Sequence, residues 1–479
     1  MKKYQSYPFE ISGLNPAGKG LATLDDVQTT IPFGLPGQQV QAQVVKKKRD
    51  QASARVQAVL RRRPDEIAPA CAHFGQPPDT SGRGCGGCQW QTLPYASQLA
   101  LKRELLQNTL AGLVPAEAWR EIIGSPLAYR YRNKVELSFG DKVFIPDEEY
   151  RALRAAKTPL PQGFYLGFHV PGSFGTVVPL RECHLVSEPM QQIFQALSQL
   201  LPTLGADVYS PRHHTGYWRH LILREGVRSG EIMVHFNTTD TDAPDWSAVL
   251  NYLNGLDLPA GSRIRSVLHS VHTGDAQIVG WNPPTLLQGE TVISDSLCGL
   301  DFEISPYAFF QTNTLAAERL YQAVVALADL RQAPVVYDLY SGTGTIGMIL
   351  AHHGARAVYG LEEIESAVAD AQRNAARNQL QHCHFAAGKV EARFSELMAL
   401  HPPDLVVVDP PRVGLHKNVS HWLNSLALPQ LIYVSCNPAA LARDLEILQA
   451  VYTVEVVQPV DLFPQTGHVE TIVRLVRRP

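Results

Sequence analysis

The stretch 335–347, VVYDLYSGTGTIG, decides the fold of the C-terminal half. An apolar, β-prone run enters Gly342-x-Gly344-x-x-Gly347, and helix-forming residues follow. That order predicts a strand, a glycine turn and a helix, with the backbone passing close to a nucleoside-type ligand at the helix N-terminus. Glu362 closes the next apolar run, AVYGLE, where a carboxylate is suited to accept hydrogen bonds from ribose hydroxyls. Taken alone, the glycine pattern suits NAD as formally as it suits S-adenosylmethionine, and a tight turn without a ligand is the plainer alternative.

Outward from this unit, DLVVVDPPRVGL (404–415) and LIYVSCNPAAL (431–441) repeat the buried-strand pattern, with helical segments between. Alternation of this kind after residue 313 predicts a doubly wound parallel sheet, which holds ligands at the carboxyl ends of its strands. Asp409-Pro410-Pro411-Arg412 falls at such an end, where the prolines stop the strand and leave the Asp409 carboxylate at the ligand edge. Cys436 lies just beyond an apolar run, a position that suits a nucleophile. In isolation a free cysteine is more often a small buried hydrophobe; the glycine loop and DPPR on the same sheet reverse that preference.

Towards the N-terminus the texture changes. Residues 130–300 are strand-rich (YRNKVELSFG, HLILREG, EIMVHFN), with a helical stretch near 187–200, and read as a central α+β domain. Before it, APACAHFGQPPDTSGRGCGGCQWQ is a loop too poor in apolar residues to organise itself. Of the seven cysteines, only Cys71, Cys85 and Cys88 cluster, and an odd number in a long chain argues against a disulfide framework. Residues 1–63 alternate short β-like runs with Gly and Pro punctuation, the pattern of a small antiparallel barrel. Residues 1–100 carry net charge +5 although the whole chain carries -3. Lys46, Lys47, Lys48, Arg49, Arg55, Arg61, Arg62 and Arg63 make a basic stripe, read either as a polyanion-binding face or as a solvated edge strand.

GKGLATLDD, IPFGLPGQQVQAQVVKKKRD and the closing basic run resemble a TRAM domain, which implies an OB-like, RNA-binding barrel. SGTGTIG, DPPRVGL, SCNPAALARDL and HVETIVRL, in that order, resemble the RNA uracil-5-methyltransferase family, with SPYAFFQTNT matching as well. The resemblance implies that Gln311, Tyr340, Glu362 and Asp409 contact S-adenosylmethionine, that Cys436 is the nucleophile and that Glu470 is the base. Glu470 by its context alone is an ordinary strand-end acid. Arg412 stands where amino-group methyltransferases place an aromatic, which weighs against methylation of an amino group. Lys389 departs from the family, which commonly has Asp or Asn there. With Cys183 in PLRECHL, Cys71, Cys85 and Cys88 give the four thiolates expected for a [4Fe–4S] cluster, although the gap from Cys71 to Cys85 is longer than in the family. Zinc, with His73 or His184 among its ligands, is the alternative.

The expected architecture is thus an α/β multidomain chain: an OB-like TRAM barrel over 1–63, a central domain with the cysteine cluster and an RNA-binding surface over 64–300, and a Rossmann-like, S-adenosylmethionine-dependent methyltransferase domain over 301–479. In the central domain Arg130, Arg132 and Lys134 are candidate phosphate ligands, and Tyr129 and Tyr131 candidate stacking platforms. Phe309 and Phe310 either line a flipped-base pocket or pack in the core. The expected substrate is a uridine in structured RNA. Bacterial 23S rRNA is favoured over tRNA because family members acting on tRNA often lack both the barrel and the cluster cysteines. An NAD-linked oxidoreductase and a non-catalytic RNA-binding module are the rivals. No run of 18 apolar residues and no apolar leader occurs, so a cytoplasmic protein with no membrane and no obligate protein partner is expected.

Overall fold

The computed structural model describes residues 1–479 apart from 76–83, 146, 171–175, 242, 276–278, 280, 281 and 479. The glycine- and proline-rich insertion between Cys71 and Cys85 falls largely on 76–83, outside the described residues. The chain divides into two compact units. One comprises Met1–Gln98, Tyr129–Ile293 and Gln465–Gly467; the other comprises Leu99–Ala128, Ser294–Pro464 and His468–Pro479. Leu99–Ala128, which lies inside the segment 64–300, therefore groups with the C-terminal unit. The reason is apolar: Leu110 and Ala118 are buried in the same core as the strands from Val335 onward.

In the first unit, residues 6–61 form a six-stranded sheet in the order Ser6–Glu10, Gln39–Lys48, Gln51–Arg61, Val27–Ile31, Gly20–Leu24, Gly13–Leu14. Its two edge strands are separated in sequence only by Ile11 and Ser12, so the edges are brought together and the sheet curls around Phe9, Ile11, Val40, Val44 and Val56. A second, seven-stranded sheet follows, in the order Thr285–Gly289, Arg263–Val271, Glu231–Thr238, Trp218–Glu225, Lys134–Lys142, Gln162–His169, Val177–Pro179. Alternation along its strands puts Val135, Leu137, Leu221, Leu223, Val234 and Phe236 into one core, shared with residues of the helices Glu188–Leu200 and Trp246–Asn254.

In the second unit the sheet runs Cys383–Ala387, Ala357–Glu362, Val335–Leu339, Leu405–Val408, Gln430–Ser435, Glu470–Arg477, Tyr452–Val460. The first five strands are parallel. The last two form an antiparallel pair, and Glu470–Arg477 runs antiparallel to Gln430–Ser435. Val335–Leu339, Leu405–Val408 and Gln430–Ser435 are buried at every position, as parallel strands covered on both faces must be. Reversal of the final strand has a positional consequence. Its first residue, Glu470, stands at the edge where the parallel strands end, and Thr471 pairs with Ser435, the neighbour of Cys436.

Candidate active site

The carboxyl edge of this sheet gathers the residues singled out above. After Val335–Leu339 the chain turns sharply. Tyr340 has φ +64, a conformation costly for a residue with a side chain, and Gly342 and Gly344 have φ +53 and +75. A Cβ on Gly344 would stand 2.5 Å from the Phe385 ring, and one on Gly347 would stand 2.8 Å from Val358 Cγ1. The glycines are therefore required by packing as well as by backbone conformation. The Gly347 N–H donates to Asp338 Oδ2 at 2.8 Å. Burial pushes this fully enclosed carboxyl up to about 7 against that hydrogen bond, and Asp409 and Glu362 add to the rise.

Glu362 holds the loop from the next strand. Its Oε2 accepts from Gly342 N and its Oε1 from Ile364 N, both at 2.9 Å. Each oxygen keeps a further lone pair for a ligand hydroxyl. Gln311 is 8% exposed, on the segment before helix Thr314–Leu327, which Asn313 caps by accepting from Ala316 N at 3.1 Å. Thr343 Oγ1 donates to Phe309 O at 3.2 Å, tying that segment to the glycine loop. Phe310 is buried with its ring 5.9 Å from that of Phe302, which makes it core, whereas Phe309 is 63% exposed. Lys389 lies before helix Val390–Leu400, paired with Glu363 at 3.7 Å.

Asp409, Cys436 and Glu470 influence one another electrostatically. Burial, then the Glu470 charge, pushes the Asp409 carboxyl well above the ordinary carboxylate range. Burial raises Glu470 to about 7, and Arg412 pulls it the other way. Burial raises the Cys436 thiol to about 11, Glu470 and Asp409 adding and Arg412 opposing. Arg412 is thus the cation that favours ionisation of both Cys436 and Glu470. His468 is held down to about 4, first by burial and then by Arg412 and Lys102, so it is neutral at pH 7.

Several supporting residues escaped the sequence reading. Asn437 caps helix Pro438–Leu448 by accepting from Ala439 N at 3.1 Å, while its Nδ2 donates to Arg412 O at 2.7 Å. The Asn-Pro pair after Cys436 is itself a helix-start signal and could have revealed the cap. Lys102 and Asp461 form a fully buried ion pair at 2.6 Å, and Lys102 also donates to Phe463 O at 3.0 Å. No sequence signal joins residues so far apart.

The cysteines converge in the first unit. Cys71, Cys85, Cys88 and Cys183 all line one cavity of about 490 Å³ including its mouth, with Arg132 and Glu182 beside them. Burial raises Cys71 and Cys88 and pushes Cys85 up to about 12, with the other thiols adding. Among the described residues no group of three or more His, Cys, Asp and Glu side chains is arranged to hold a metal ion. His73 Nε2 accepts from Arg181 N at 2.9 Å, and His184 stands 3.2 Å from Glu182. Arg130 is exposed, and its Nη1 donates to Cys183 O and Val186 O, both at 3.0 Å, which anchors one side of the guanidinium. Tyr131 is 5% exposed and belongs to the core rather than to a stacking surface. In the basic stripe, Arg61, Arg62 and Arg63 pair with Glu10, Glu66 and Asp65, while Lys46, Lys47, Lys48 and Arg49 are exposed at the end of their hairpin.

A seven-stranded sheet with five adjacent parallel strands, a single reversed strand, Glu470–Arg477, and a glycine loop after the middle one of the five defines a Rossmann-like methyltransferase fold. Comparison with known proteins narrows this class. Residues 298–478 match the family model for tRNA (Uracil-5-)-methyltransferase. An RNA methyltransferase of Clostridium acetobutylicum is 34% identical over 100% of this chain and 99% of its own length. One from Chlorobaculum tepidum is 36% identical over 91% of this chain and 89% of its own. The crystal structure of Pyrococcus abyssi tRNA (uracil-54, C5)-methyltransferase with S-adenosyl-L-homocysteine superposes with TM-score 0.74 at 26% identity, covering 98% of this chain and 100% of that one. The chain belongs to the RNA uracil-5-methyltransferase family, whose members are S-adenosylmethionine-dependent enzymes. An NAD-linked oxidoreductase is thereby set aside. Among the described residues no helix is long and apolar enough to cross a membrane.

Proposed function

We propose that this protein methylates carbon 5 of a uridine in folded RNA, with Cys436 as nucleophile and Glu470 as base. The observation that carries the reading is the convergence of Cys436, Glu470, Asp409 and Arg412 at the carboxyl edge of the sheet. Carbon 5 of uracil is too weakly nucleophilic to be methylated directly. Cys436 Sγ forms a bond to carbon 6, and the displaced π pair becomes an enolate on the ring, which makes carbon 5 nucleophilic. Gln311, Tyr340, Glu362 and Asp409 would hold S-adenosylmethionine, which would supply the methyl group that carbon 5 takes, the methyl–sulfur bond breaking and its pair remaining on the departing thioether sulfur. Glu470 then takes the carbon-5 proton, the ring double bond re-forms and the Cys436 thiolate leaves. A carboxyl near 7 is suited to that proton transfer at neutral pH. With the thiol near 11, its proton must pass to solvent water as attack proceeds, and the Arg412 charge stabilises the thiolate that forms.

The segment 1–63 is read as a TRAM barrel that binds RNA, 64–300 as the cluster-bearing central domain and 301–479 as the methyltransferase domain. Four thiols lining one cavity suit a [4Fe–4S] cluster better than zinc with histidine, since a backbone N–H occupies His73 Nε2. The cluster would be structural or RNA-orienting. Protein purified without oxygen should carry iron and sulfide in equal amounts with a visible absorbance shoulder. Both should be lost in Cys85→Ser/Cys88→Ser; metal-free protein, or zinc in place of iron, would refute the assignment.

Bacterial 23S rRNA is the favoured substrate, and the tRNA named for the Pyrococcus abyssi enzyme supports tRNA as the second reading. Incubation with S-adenosylmethionine and 5-fluorouridine-substituted 23S rRNA fragments or tRNA transcripts tests both. Fluorine on carbon 5 cannot leave as a proton, so the RNA should remain attached to Cys436 through denaturation, and the RNA that is trapped names the substrate. Cys436→Ala should abolish the adduct. No adduct with any RNA, given bound cofactor, would favour a non-catalytic RNA-binding module.

A further inference from the structure

The loop after DPPR is fastened at three points to the helix that begins after Cys436. Asn437 Nδ2 donates to Arg412 O at 2.7 Å, Arg443 Nη2 donates to Val413 O at 2.8 Å, and Leu415 N donates to Asp444 Oδ2 at 2.7 Å. Asp444 is the centre of this arrangement. Its side chain is 1% exposed, its Oδ2 also accepts from Tyr433 Oη at 2.7 Å, and its Oδ1 accepts from Arg443 Nε at 2.9 Å and Nη2 at 2.7 Å. Tyr433 lies in the strand that leads to Cys436. A single carboxylate therefore joins the Cys436 strand, the helix after it and the loop that carries Arg412.

Gly414 marks how closely the loop is seated. It has φ +81, and a Cβ there would stand 2.4 Å from Arg443 Nη2 and 2.5 Å from Asp444 Oδ2. Arg412 is itself exposed at the surface, so nothing in its burial holds it in place. The three attachments fix the backbone from which its guanidinium extends.

We propose that Asp444 is a positioning residue: by pinning the 412–415 loop to the Pro438–Leu448 helix it sets the Arg412 guanidinium beside Cys436 and Glu470. The inference rests on the reading of Cys436 as nucleophile but is tested without RNA or turnover. Cys436 is faced by Glu470 and Asp409, which disfavour its thiolate, and by Arg412, which favours it. Displacing Arg412 leaves the two acids opposed only by a backbone hydrogen bond at Cys436.

The test is the pH dependence of Cys436 alkylation by iodoacetamide in the full-length protein, read by mass spectrometry of the peptide containing Cys436. Arg412→Ala should move the alkylation midpoint up by about one pH unit, which is about tenfold less thiolate at a fixed pH below the midpoint. Asp444→Asn should move it in the same direction, and Arg412→Ala/Asp444→Asn should move it no further than Arg412→Ala alone. Gly414→Ala approaches the same contact from the loop side and leaves the buried carboxylate in place. It should reproduce the shift if Asp444→Asn fails to fold. A wild-type midpoint in folded Asp444→Asn or Gly414→Ala, an unshifted Arg412→Ala, or additive shifts in the double variant would each overturn the proposal. Persistence of the 5-fluorouridine adduct in Cys436→Ala would instead strike the nucleophile assignment, independently of these midpoints.

Discussion

Ionising Glu470 costs free energy because the group is enclosed and its opposing cation, Arg412, lies in an exposed loop. Its pKa is raised from 4.5 to about 7, so between those values the folded chain keeps a proton that the unfolded chain has lost. The stability this proton contributes is complete below about 4.5 and is lost as pH rises through 7. Glu470→Gln should therefore match the wild type in urea denaturation at pH 4 and exceed it at pH 8 by on the order of 3 kcal/mol. The same variant should be inactive. An equal difference at both pH values would show that the carboxyl is not responsible. Turnover by the wild type should rise as pH increases through about 7, the range in which the base form appears.

Strands and helices hold these residues in register, and one buried ion pair does much of this for the last strand. Lys102, on helix Tyr95–Thr109, reaches Asp461 and Phe463 O shortly before the chain arrives at Glu470. Lys102→Met would leave the Asp461 carboxylate enclosed without its cation, and should destabilise the protein by about 3–5 kcal/mol. Lys102→Met/Asp461→Asn should recover a large part of the loss; equal losses in the single and double variants would show that the pairing contributes nothing. Four of the five parallel strands were legible from the chain as apolar runs, whereas Cys383–Ala387, at the partly exposed edge of the sheet, was not. Glu362, Asp409 and Cys436 were legible as candidates because they close or follow such runs, whereas Gln311 and Tyr340 came only through resemblance. Glu470 was identifiable only through resemblance, since an acid opening an antiparallel strand looks solvated until the strand order is known. Asp444 and Lys102 act through hydrogen bonds across long sequence separations, which no local pattern encodes, and the same holds for the bond from Asn437 to Arg412 O, though not for its helix cap. Arg130 shows the same limit: that one of its guanidinium nitrogens is spent on the carbonyl groups of Cys183 and Val186 cannot be read from its neighbours in sequence.

At the scale of the molecule, charge and catalysis are carried by different parts of the chain. Lys46, Lys47, Lys48 and Arg49 stand exposed at the end of a hairpin in the N-terminal sheet, whereas Arg61, Arg62 and Arg63 are matched by acids. If that hairpin grips the RNA backbone, replacing the three lysines by glutamine should weaken all RNAs alike and reduce the slope of log affinity against log salt by about 2 to 3. An unchanged slope would return those lysines to the role of a solvated strand end. The interleaving of the two units also bears on how the chain is made. Leu99–Ala128 belongs with strands that lie beyond the intervening residues 129–293. At about 5–20 residues per second, a ribosome needs roughly 10 to 30 seconds to bridge that gap. Throughout that interval Leu110, which follows the early helix, lacks the core residues from Val335 onward that will cover it, so the nascent chain carries apolar surface that only later synthesis can bury.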